Sequence, residues 1–161
     1  MNYDVFGLGN ALVDALVVVD DGDLVARHGL VRGTMHLVDD DRWRAVYADV
    51  PQGKVTVSSG GSCANSMCTL ALLGGSATYS GLVGQDRWGD AYDERLADVL
   101  GAHYMQRRPA RPTGKCLSLV SAVDAERTML TDLGCAMELT PNELPLDVVA
   151  QSNWLHVTGY L

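Results

Sequence analysis

The alternation of strand-like and helix-like segments from residue 55 onward constrains the fold of this chain most strongly. Residues 55–61 are rich in β-branched side chains and end in Gly-Gly, and residues 62–73 follow as an apolar helical segment. Residues 77–84 again predict a strand, and residues 87–100 predict an amphipathic helix. Such alternation is typical of βαβ units, which build a largely parallel sheet, so we expect an α/β fold.

The earlier strands predict a second, smaller sheet. Segments 11–20, 33–39 and 55–59 have few helices between them, so we expect them to form a small antiparallel sheet beside the main one. The remaining predicted elements are strands at 3–9, 103–107 and 154–160, a hairpin over 116–133, and helices at 23–29, 39–50 and 141–151. Ser62 is the expected N-cap of the helix over 62–73.

Composition favours one folded domain and disfavours two partner classes. The 161 residues include 47% hydrophobic and 20% charged residues, so a sizeable core is possible and global disorder is excluded. The formal net charge of −8 repels phosphate backbones and anionic lipid, so we expect no nucleic-acid and no membrane partner. The apolar stretch from Ala11 to Val19 is interrupted by Asp14 and is too short to span a bilayer, and no signal peptide is visible. We therefore expect a cytoplasmic protein.

The cysteines indicate neither a metal site nor a disulfide framework. Cys63, Cys68, Cys116 and Cys135 contain no CxxC pair and no zinc-finger spacing with histidine. We expect buried free thiols, as is usual in a reducing compartment.

Two polar residues interrupt the apolar sequence near the N-terminus. At strand spacing, Asn10, Leu12 and Asp14 point to one face and present an amide, an apolar group and a carboxylate together. A carboxylate and an amide suit vicinal hydroxyls, because Asp accepts two O–H donors and Asn both donates and accepts. The alternative is an aspartate at a strand-end turn. A dinucleotide site at Gly7–Gly9 is disfavoured, because a Val-rich strand and not a helix follows these glycines.

The segment Gly60–Asn65 is the second candidate for binding. Its two glycines allow a ligand to approach the backbone, and the following helix offers free N–H groups at its first turn. Asn65 is expected in that turn, facing the same space. A plain glycine turn between strand and helix is the alternative. The third glycine-rich segment, residues 81–90, needs no role beyond loop closure, with Asp86 near a helix start.

The order of GNALVD (9–14), GGSCANSMCTLALLGG (60–75) and GLVGQDRWGD (81–90) resembles the N-terminal half of the ribokinase-like (PfkB) carbohydrate and nucleoside kinases. Asn-x-x-x-Asp at 10–14 and GGSxxNS at 60–66 are most similar to the adenosine kinase branch. The resemblance spans essentially the whole chain. It implies a ribokinase-like three-layer α/β/α domain with a small β-sheet lid, formed by strands within about 11–59, that closes over the sugar.

The resemblance also implies roles for individual residues. Asp14 and Asn10 match sugar-binding residues, and Leu12 matches an apolar contact to the base. The remaining positions that match substrate contacts are Gly60, Gly61, Ser62, Asn65 and Tyr160. Arg127 matches a basic residue that reaches toward the transferred phosphate, and a surface arginine on a hairpin is its alternative.

One part of the family pattern is missing from this sequence. The family's Gly-Ala-Gly-Asp segment supplies the general base and the anion hole, but the only glycines after residue 115 are Gly134 and Gly159. We therefore expect the substrate half of an ATP- and Mg²⁺-dependent kinase that phosphorylates a primary sugar hydroxyl, with the ATP-binding and catalytic half absent. Such a chain would be inactive alone, would bind a nucleoside or sugar, and could pair with a second copy through its lid. The alternative is a complete, non-catalytic nucleoside- or sugar-binding or partner-dependent protein.

Overall fold

The computed structural model describes residues 2–20 and 23–159. Tyr160, one of the predicted substrate contacts, lies outside them. The strands are β1 (Val5–Leu8), β2 (Leu12–Val19), β3 (Met35–Leu37), β4 (Thr56–Ser59), β5 (Ala77–Ser80), β6 (Leu82–Gly84), β7 (Gln106–Arg108), β8 (Gly114–Ser121), β9 (Arg127–Asp132) and β10 (Trp154–Val157). The helices are α1 (Asp23–Arg27), α2 (Asp40–Asp49), α3 (Ser62–Leu72), α4 (Arg87–Leu100) and α5 (Leu146–Ala150). This mixture confirms the α/β prediction.

Two of the predicted helices differ from those in the structure. Gly61, with φ of 88°, precedes α3 as its N-cap, so the prediction of Ser62 as the cap is wrong and Ser62 is the first helical residue. The predicted helix over 141–151 is also wrong, because it divides into a 3₁₀ turn, Pro141–Glu143, and the short α5. Pro145 separates them, since a proline disfavours helical backbone at the residue before it.

The main sheet is parallel, as predicted. Its strand order is β10-β1-β5, and β6 and β7 form a further parallel pair. Helices α3 and α4 pack together, and α3 packs on β1 and β5. The core between these elements includes the fully buried Tyr79, Tyr92 and Leu96.

The second sheet, which we call the lid sheet, has five strands in the order β3-β9-β8-β2-β4. The three strands predicted for it are present, but the expectation of an antiparallel sheet made from them alone is wrong. β2 pairs antiparallel with β4 and parallel with β8, so the hairpin β8–β9 lies between β2 and the three-residue β3. The physical reason is length, because β8 matches all eight residues of β2 and satisfies the backbone groups along its whole edge.

The two faces of the lid sheet differ in what covers them. On the covered face, Ala15 and Val17 of β2 pack into a core with Leu24 of α1 and with Trp43 and Val46 of α2. The other face, which we call the open face, carries alternate residues of the same strands. On β2 these are Leu12, Asp14, Leu16 and Val18, of which the last two are 40% and 49% exposed. No helix among residues 2–20 and 23–159 is long and apolar enough to cross a membrane.

Candidate functional site

Asp14 lies on the open face of the lid sheet, on β2, between the central strand β8 and the edge strand β4. Its register partners are Ser58 on β4 and Cys116 on β8, so a carboxylate, a hydroxyl and a thiol stand side by side across three strands. The Asp14 side chain is partly buried, and burial raises its pKa above the usual value for aspartate. A partly buried carboxylate that faces open space can accept hydrogen bonds from a ligand's hydroxyls.

Gly60 lies directly against the Asp14 carboxylate. A Cβ atom built on Gly60 would stand 2.3 Å from Asp14 Oδ2, well inside van der Waals contact. The backbone N–H of Gly60 donates to the carbonyl of Leu12 at 2.7 Å, which holds the glycine turn beside β2. The structure therefore brings Asp14 and the Gly-Gly turn together, and only a glycine at position 60 leaves the carboxylate where it is.

Gly61 fixes the way in which α3 begins. Its φ of 88° is in the left-handed region that favours glycine, and a Cβ there would stand 2.5 Å from the backbone carbonyl oxygen of Asn10. Ser62 and Asn65 follow in the first turn of α3, and both are exposed. The predicted residues at 10–14 and 60–65 thus form one neighbourhood, with Asn10 at 8% exposure in its wall.

Two buried tyrosines support this neighbourhood, and the sequence did not indicate their role. The hydroxyl of Tyr92 donates to the carbonyl of Gly60 at 3.0 Å, and that of Tyr79 donates to the carbonyl of Gly9 at 2.6 Å. Burial raises the pKa of both phenols well above the usual value, so both remain protonated donors at neutral pH. Helical periodicity places Tyr92 in the core, but nothing in the sequence shows which carbonyl its hydroxyl reaches.

Cys116 is a third residue of the site whose place the sequence did not indicate. It was expected only as one of four buried thiols, yet its strand register places it beside Asp14 on the open face. Burial raises the pKa of its thiol, so it offers a small, weakly polar surface and not a thiolate. Cross-sheet register is a long-range property, and only the β2–β8 pairing reveals this neighbour.

Arg127 lies at the rim of the open face. It begins β9 and pairs with Val120, which in turn pairs with Val18 of β2. It therefore stands four strand positions from the level of Asp14, about 13 Å along the sheet at the usual rise per residue. The exposed Arg127 shares a face with Asp14, but its backbone does not adjoin that of Asp14.

The glycine-rich segment 81–90 closes a loop, as expected. Asp86 caps α4 by accepting from the backbone N–H groups of Trp88 and Gly89, and it also accepts from the N–H and hydroxyl of Thr113. Burial would raise the pKa of Asp86, but these hydrogen bonds outweigh burial and lower it.

The thiols show no sign of a metal centre. All four cysteines are free, and burial raises the pKa of Cys63 and of Cys135 to about 11. Within residues 2–20 and 23–159, no group of three or more His, Cys, Asp or Glu side chains could hold a metal ion. The described site presents a carboxylate, an amide and the backbone of a glycine turn, which are groups that can form hydrogen bonds with a ligand.

Comparison with known proteins gives this geometry a context. The model of the pfkB family carbohydrate kinases matches residues 31–161. Adenosine kinase 2 of Arabidopsis thaliana is 28% identical over 141 residues, which cover 84% of this chain and 40% of that protein. Guanosine-inosine kinase of Escherichia coli is 27% identical over 164 residues, covering 98% of this chain and 37% of that protein.

Solved structures agree with this similarity. The crystal structure of adenosine kinase from Sinorhizobium meliloti superposes with a TM-score of 0.84 and 35% identity, covering 99% of this chain and 48% of that one. A probable sugar kinase from Rhizobium etli superposes with the same TM-score and 33% identity, covering 99% of this chain and 47% of that one. The chain thus spans about 40% of the length of these curated relatives and about half of these solved structures.

Proposed function

We propose that this chain, which belongs to the pfkB family of carbohydrate kinases and to its adenosine kinase branch, binds the sugar of a nucleoside on the open face of its lid sheet. The observation that carries the proposal is the contact between Asp14 and Gly60, where a Cβ atom would stand 2.3 Å from Asp14 Oδ2. This contact joins the two segments that the sequence analysis singled out separately.

Asp14 accepts hydrogen bonds from two neighbouring ribose hydroxyls in this proposal. An ionised carboxylate only accepts, and its two oxygens match the spacing of a vicinal diol. Asn10 and Asn65 supply amides at the edge of the same space, and the first turn of α3 presents Ser62. The amides and the hydroxyl are neutral, and the Asp14 carboxylate repels an anionic ligand, so these groups fit the hydroxyls of a neutral sugar.

The rest of the open face suits a flat, apolar group. Leu12 and Leu16 flank Asp14 along β2, and Met129 lies on the same face two strands away. A free sugar has no apolar plane to place there, whereas a nucleoside has its base. We therefore favour a nucleoside, with adenosine first, over ribose or fructose.

Phosphoryl transfer is proposed for the whole protein and not for this chain alone. The donor that the family implies is ATP, and Mg²⁺ is proposed with it. No metal-binding group is present among residues 2–20 and 23–159, and the sequence has no Gly-Ala-Gly-Asp segment. We assign no residue of this chain to the metal or to general-base catalysis, and we propose Arg127 as a contact to the transferred phosphate.

We also propose that two copies of the chain pair through their lid sheets. β3 forms one edge of the lid sheet, and its Met35 and Leu37 are 57% and 65% exposed. An apolar sheet edge of this kind favours pairing with a second copy. Sedimentation equilibrium of the chain and of a Met35→Lys variant tests this, since the variant is expected to associate more weakly than the unmodified chain.

Calorimetric titration tests the proposed function. Adenosine is expected to bind the chain, with ribose and fructose much weaker, and Asp14→Asn is expected to weaken adenosine binding about tenfold to one hundredfold, the value of a charge-assisted hydrogen bond. Asp20→Asn, an exposed aspartate just beyond β2, is the matched control and should change nothing. Equal adenosine binding by the Asp14→Asn variant would refute the assigned site.

A parallel assay addresses phosphoryl transfer. The chain incubated with adenosine and Mg-ATP is expected to form no AMP. Formation of AMP would show that catalytic residues exist in this chain. Binding without transfer is also what the alternative of a non-catalytic nucleoside-binding protein predicts, and transfer by a longer polypeptide that contains this chain would exclude that alternative.

A further inference from the structure

A cavity of about 340 Å³ lies on the covered side of the lid sheet, between α2 and the start of α4. Its volume is within the usual range for small-molecule sites. Three aromatic and three basic side chains line it: Trp43, Tyr47, Trp88, Arg44, Arg87 and Lys115. Lys115 is the register neighbour of Val13, whose side chain points away from the open face, so this cavity is distinct from the Asp14 site.

The aromatic side chains form a single cluster. The rings of Trp43 and Tyr47 stack, with centroids 4.6 Å apart and planes inclined by 18°. Trp88 meets both of them edge-on, at 5.9 Å from each. The walls are therefore rigid ring surfaces and ring edges, which suit a flat ligand and lose little conformational entropy when one binds.

The charges at this cavity favour an anion over a cation. The Arg87 guanidinium lies 4.7 Å from the Trp88 ring centroid, and the Lys115 ammonium lies 5.1 Å from that of Trp43. The Trp43 and Trp88 rings thus each already have one cation beside them, and a further cation in the cavity would be repelled by Arg87 and Lys115. Asp86 is the one carboxylate in the wall, and both of its oxygens already accept hydrogen bonds from Trp88, Gly89 and Thr113.

The basic groups differ in how far they are neutralised. Lys115 is bound by Asp40 and Asp132, at 2.7 Å each, and Arg44 is also bound by Asp40. Arg87 is exposed, and within the described part of the chain it makes no ion pair. Its guanidinium is therefore the group at the cavity that remains available to a carboxylate or phosphate.

A buried donor in the wall is a second, independent sign of a ligand. Trp43 is 2% exposed, and within residues 2–20 and 23–159 no group accepts a hydrogen bond from its indole Nε1–H. A buried indole N–H group normally donates a hydrogen bond to an acceptor, and a buried N–H without that hydrogen bond costs free energy. Trp43 lines the cavity, and a ligand oxygen that approaches its indole Nε1–H would satisfy this donor.

We propose that the cavity between α2 and α4 binds a planar aromatic ring that carries one carboxylate or phosphate group. The ring packs among Trp43, Tyr47 and Trp88, and the anionic group pairs with the Arg87 guanidinium at the rim. This site lies apart from the proposed nucleoside site, and its occupancy does not depend on that proposal.

The indole N–H signals in a nitrogen-15 NMR spectrum test this inference directly. The chain has three tryptophans, and only Trp154 lies away from the cavity, exposed on β10. Trp154→Phe and Trp88→Phe variants assign the three signals. Phenyl phosphate and benzoate, added at millimolar concentration, are expected to shift the Trp43 and Trp88 signals and to leave the Trp154 signal unchanged. The probe that binds more tightly shows whether the site prefers a phosphate or a carboxylate.

Two control probes and two variants show whether binding requires both the ring and the anionic group. Benzyl alcohol, a ring without charge, and inorganic phosphate, a charge without a ring, are expected to cause much smaller shifts. Arg87→Gln is expected to lower the affinity for the tighter-binding probe about tenfold. Lys54→Gln, which removes an exposed charge outside the cavity, should leave that affinity unchanged. Equal shifts with benzyl alcohol or with phosphate alone, an unaltered affinity of the Arg87→Gln variant, or no shift by either ring anion would each overturn the proposal.

Discussion

Asp14 shows how one residue can support a function at a cost to stability. Its carboxylate is partly buried, and burial raises its pKa, so the ionised form is less stable in the folded chain than in the unfolded chain. A group whose pKa is raised on folding favours the folded state at low pH, and that advantage is lost as the pH rises through the folded-state pKa. At neutral pH the ionised Asp14 therefore destabilises the fold, although it is the form that can accept hydroxyl donors.

This conflict predicts opposite effects of one substitution. Asp14→Asn is expected to raise the melting temperature at neutral pH while it weakens nucleoside binding, because it removes a charge that is costly to bury. The gain over the unmodified chain should shrink as the pH is lowered toward the usual pKa of aspartate. Differential scanning calorimetry across this pH range measures it, with Asp20→Asn as the control, and a stability loss on Asp14→Asn at neutral pH would contradict it.

A pair of glycine substitutions tests the site's backbone. Gly61 and Gly74 have nearly the same φ, 88° and 92°, but a Cβ at Gly61 would meet the Asn10 carbonyl oxygen at 2.5 Å, while one at Gly74 would meet nothing within 4 Å. Gly74→Ala is expected to cost about 1–2 kcal/mol from its left-handed backbone alone. Gly61→Ala is expected to cost clearly more, measured by urea unfolding. Equal losses of unfolding free energy in the two variants would show that the close approach to the Asn10 carbonyl oxygen does not exclude a Cβ atom at position 61.

At the scale of elements, the sequence predicted which segments are strands and helices better than it predicted their partners. The run 11–20 is visible as a strand from its valines, and β2 spans Leu12–Val19. The sequence carries no local sign that this strand pairs with β8, 102 positions further along from Leu12 to Gly114. That pairing decides what surrounds Asp14, so the neighbours Cys116 and Ser58 emerge only from the fold.

A buried ion triad fastens α2 to the lid sheet. Lys115 of β8 is 2% exposed, and its ammonium lies 2.7 Å from Asp132 of β9 and 2.7 Å from Asp40 of α2. Lys115→Met is expected to destabilise the chain by about 3–5 kcal/mol, because it leaves the buried Asp132 without its counter-charge. Adding Asp132→Asn to that variant should recover part of the loss. Guanidinium unfolding measures both, and Lys54→Met is the exposed control; a change below about 1 kcal/mol would mean that the triad is not coupled to folding.

At the scale of the whole molecule, the family resemblance in the sequence is confirmed by the family match and by the superposition on adenosine kinase from Sinorhizobium meliloti. The sequence indicated the family through three motifs in order, at 9–14, 60–75 and 81–90, because together they specify residue type, order and spacing. The roles of the individual site residues remain predictions.

The main sheet presents an apolar edge to its surroundings. On β10, Trp154, Leu155 and Val157 are 74%, 54% and 45% exposed, and the strand has a partner on one side, β1. Exposed apolar edge strands recruit other chains, so we expect self-association that grows with concentration. Light scattering of the chain and of a Leu155→Lys variant measures it, with Leu73→Lys, an exposed position at the end of α3, as the control. A chain that stays monomeric at high concentration would contradict this expectation.

The central claim is that Asp14 holds the ribose hydroxyls of a nucleoside, and a thermodynamic cycle tests it most directly. Adenosine and 2′,3′-dideoxyadenosine are titrated into the unmodified chain and into the Asp14→Asn variant. If Asp14 accepts from these hydroxyls, removing them weakens binding to the unmodified chain about tenfold or more, yet changes binding to the variant little. Equal losses in both chains would place the hydroxyls elsewhere and would contradict the account.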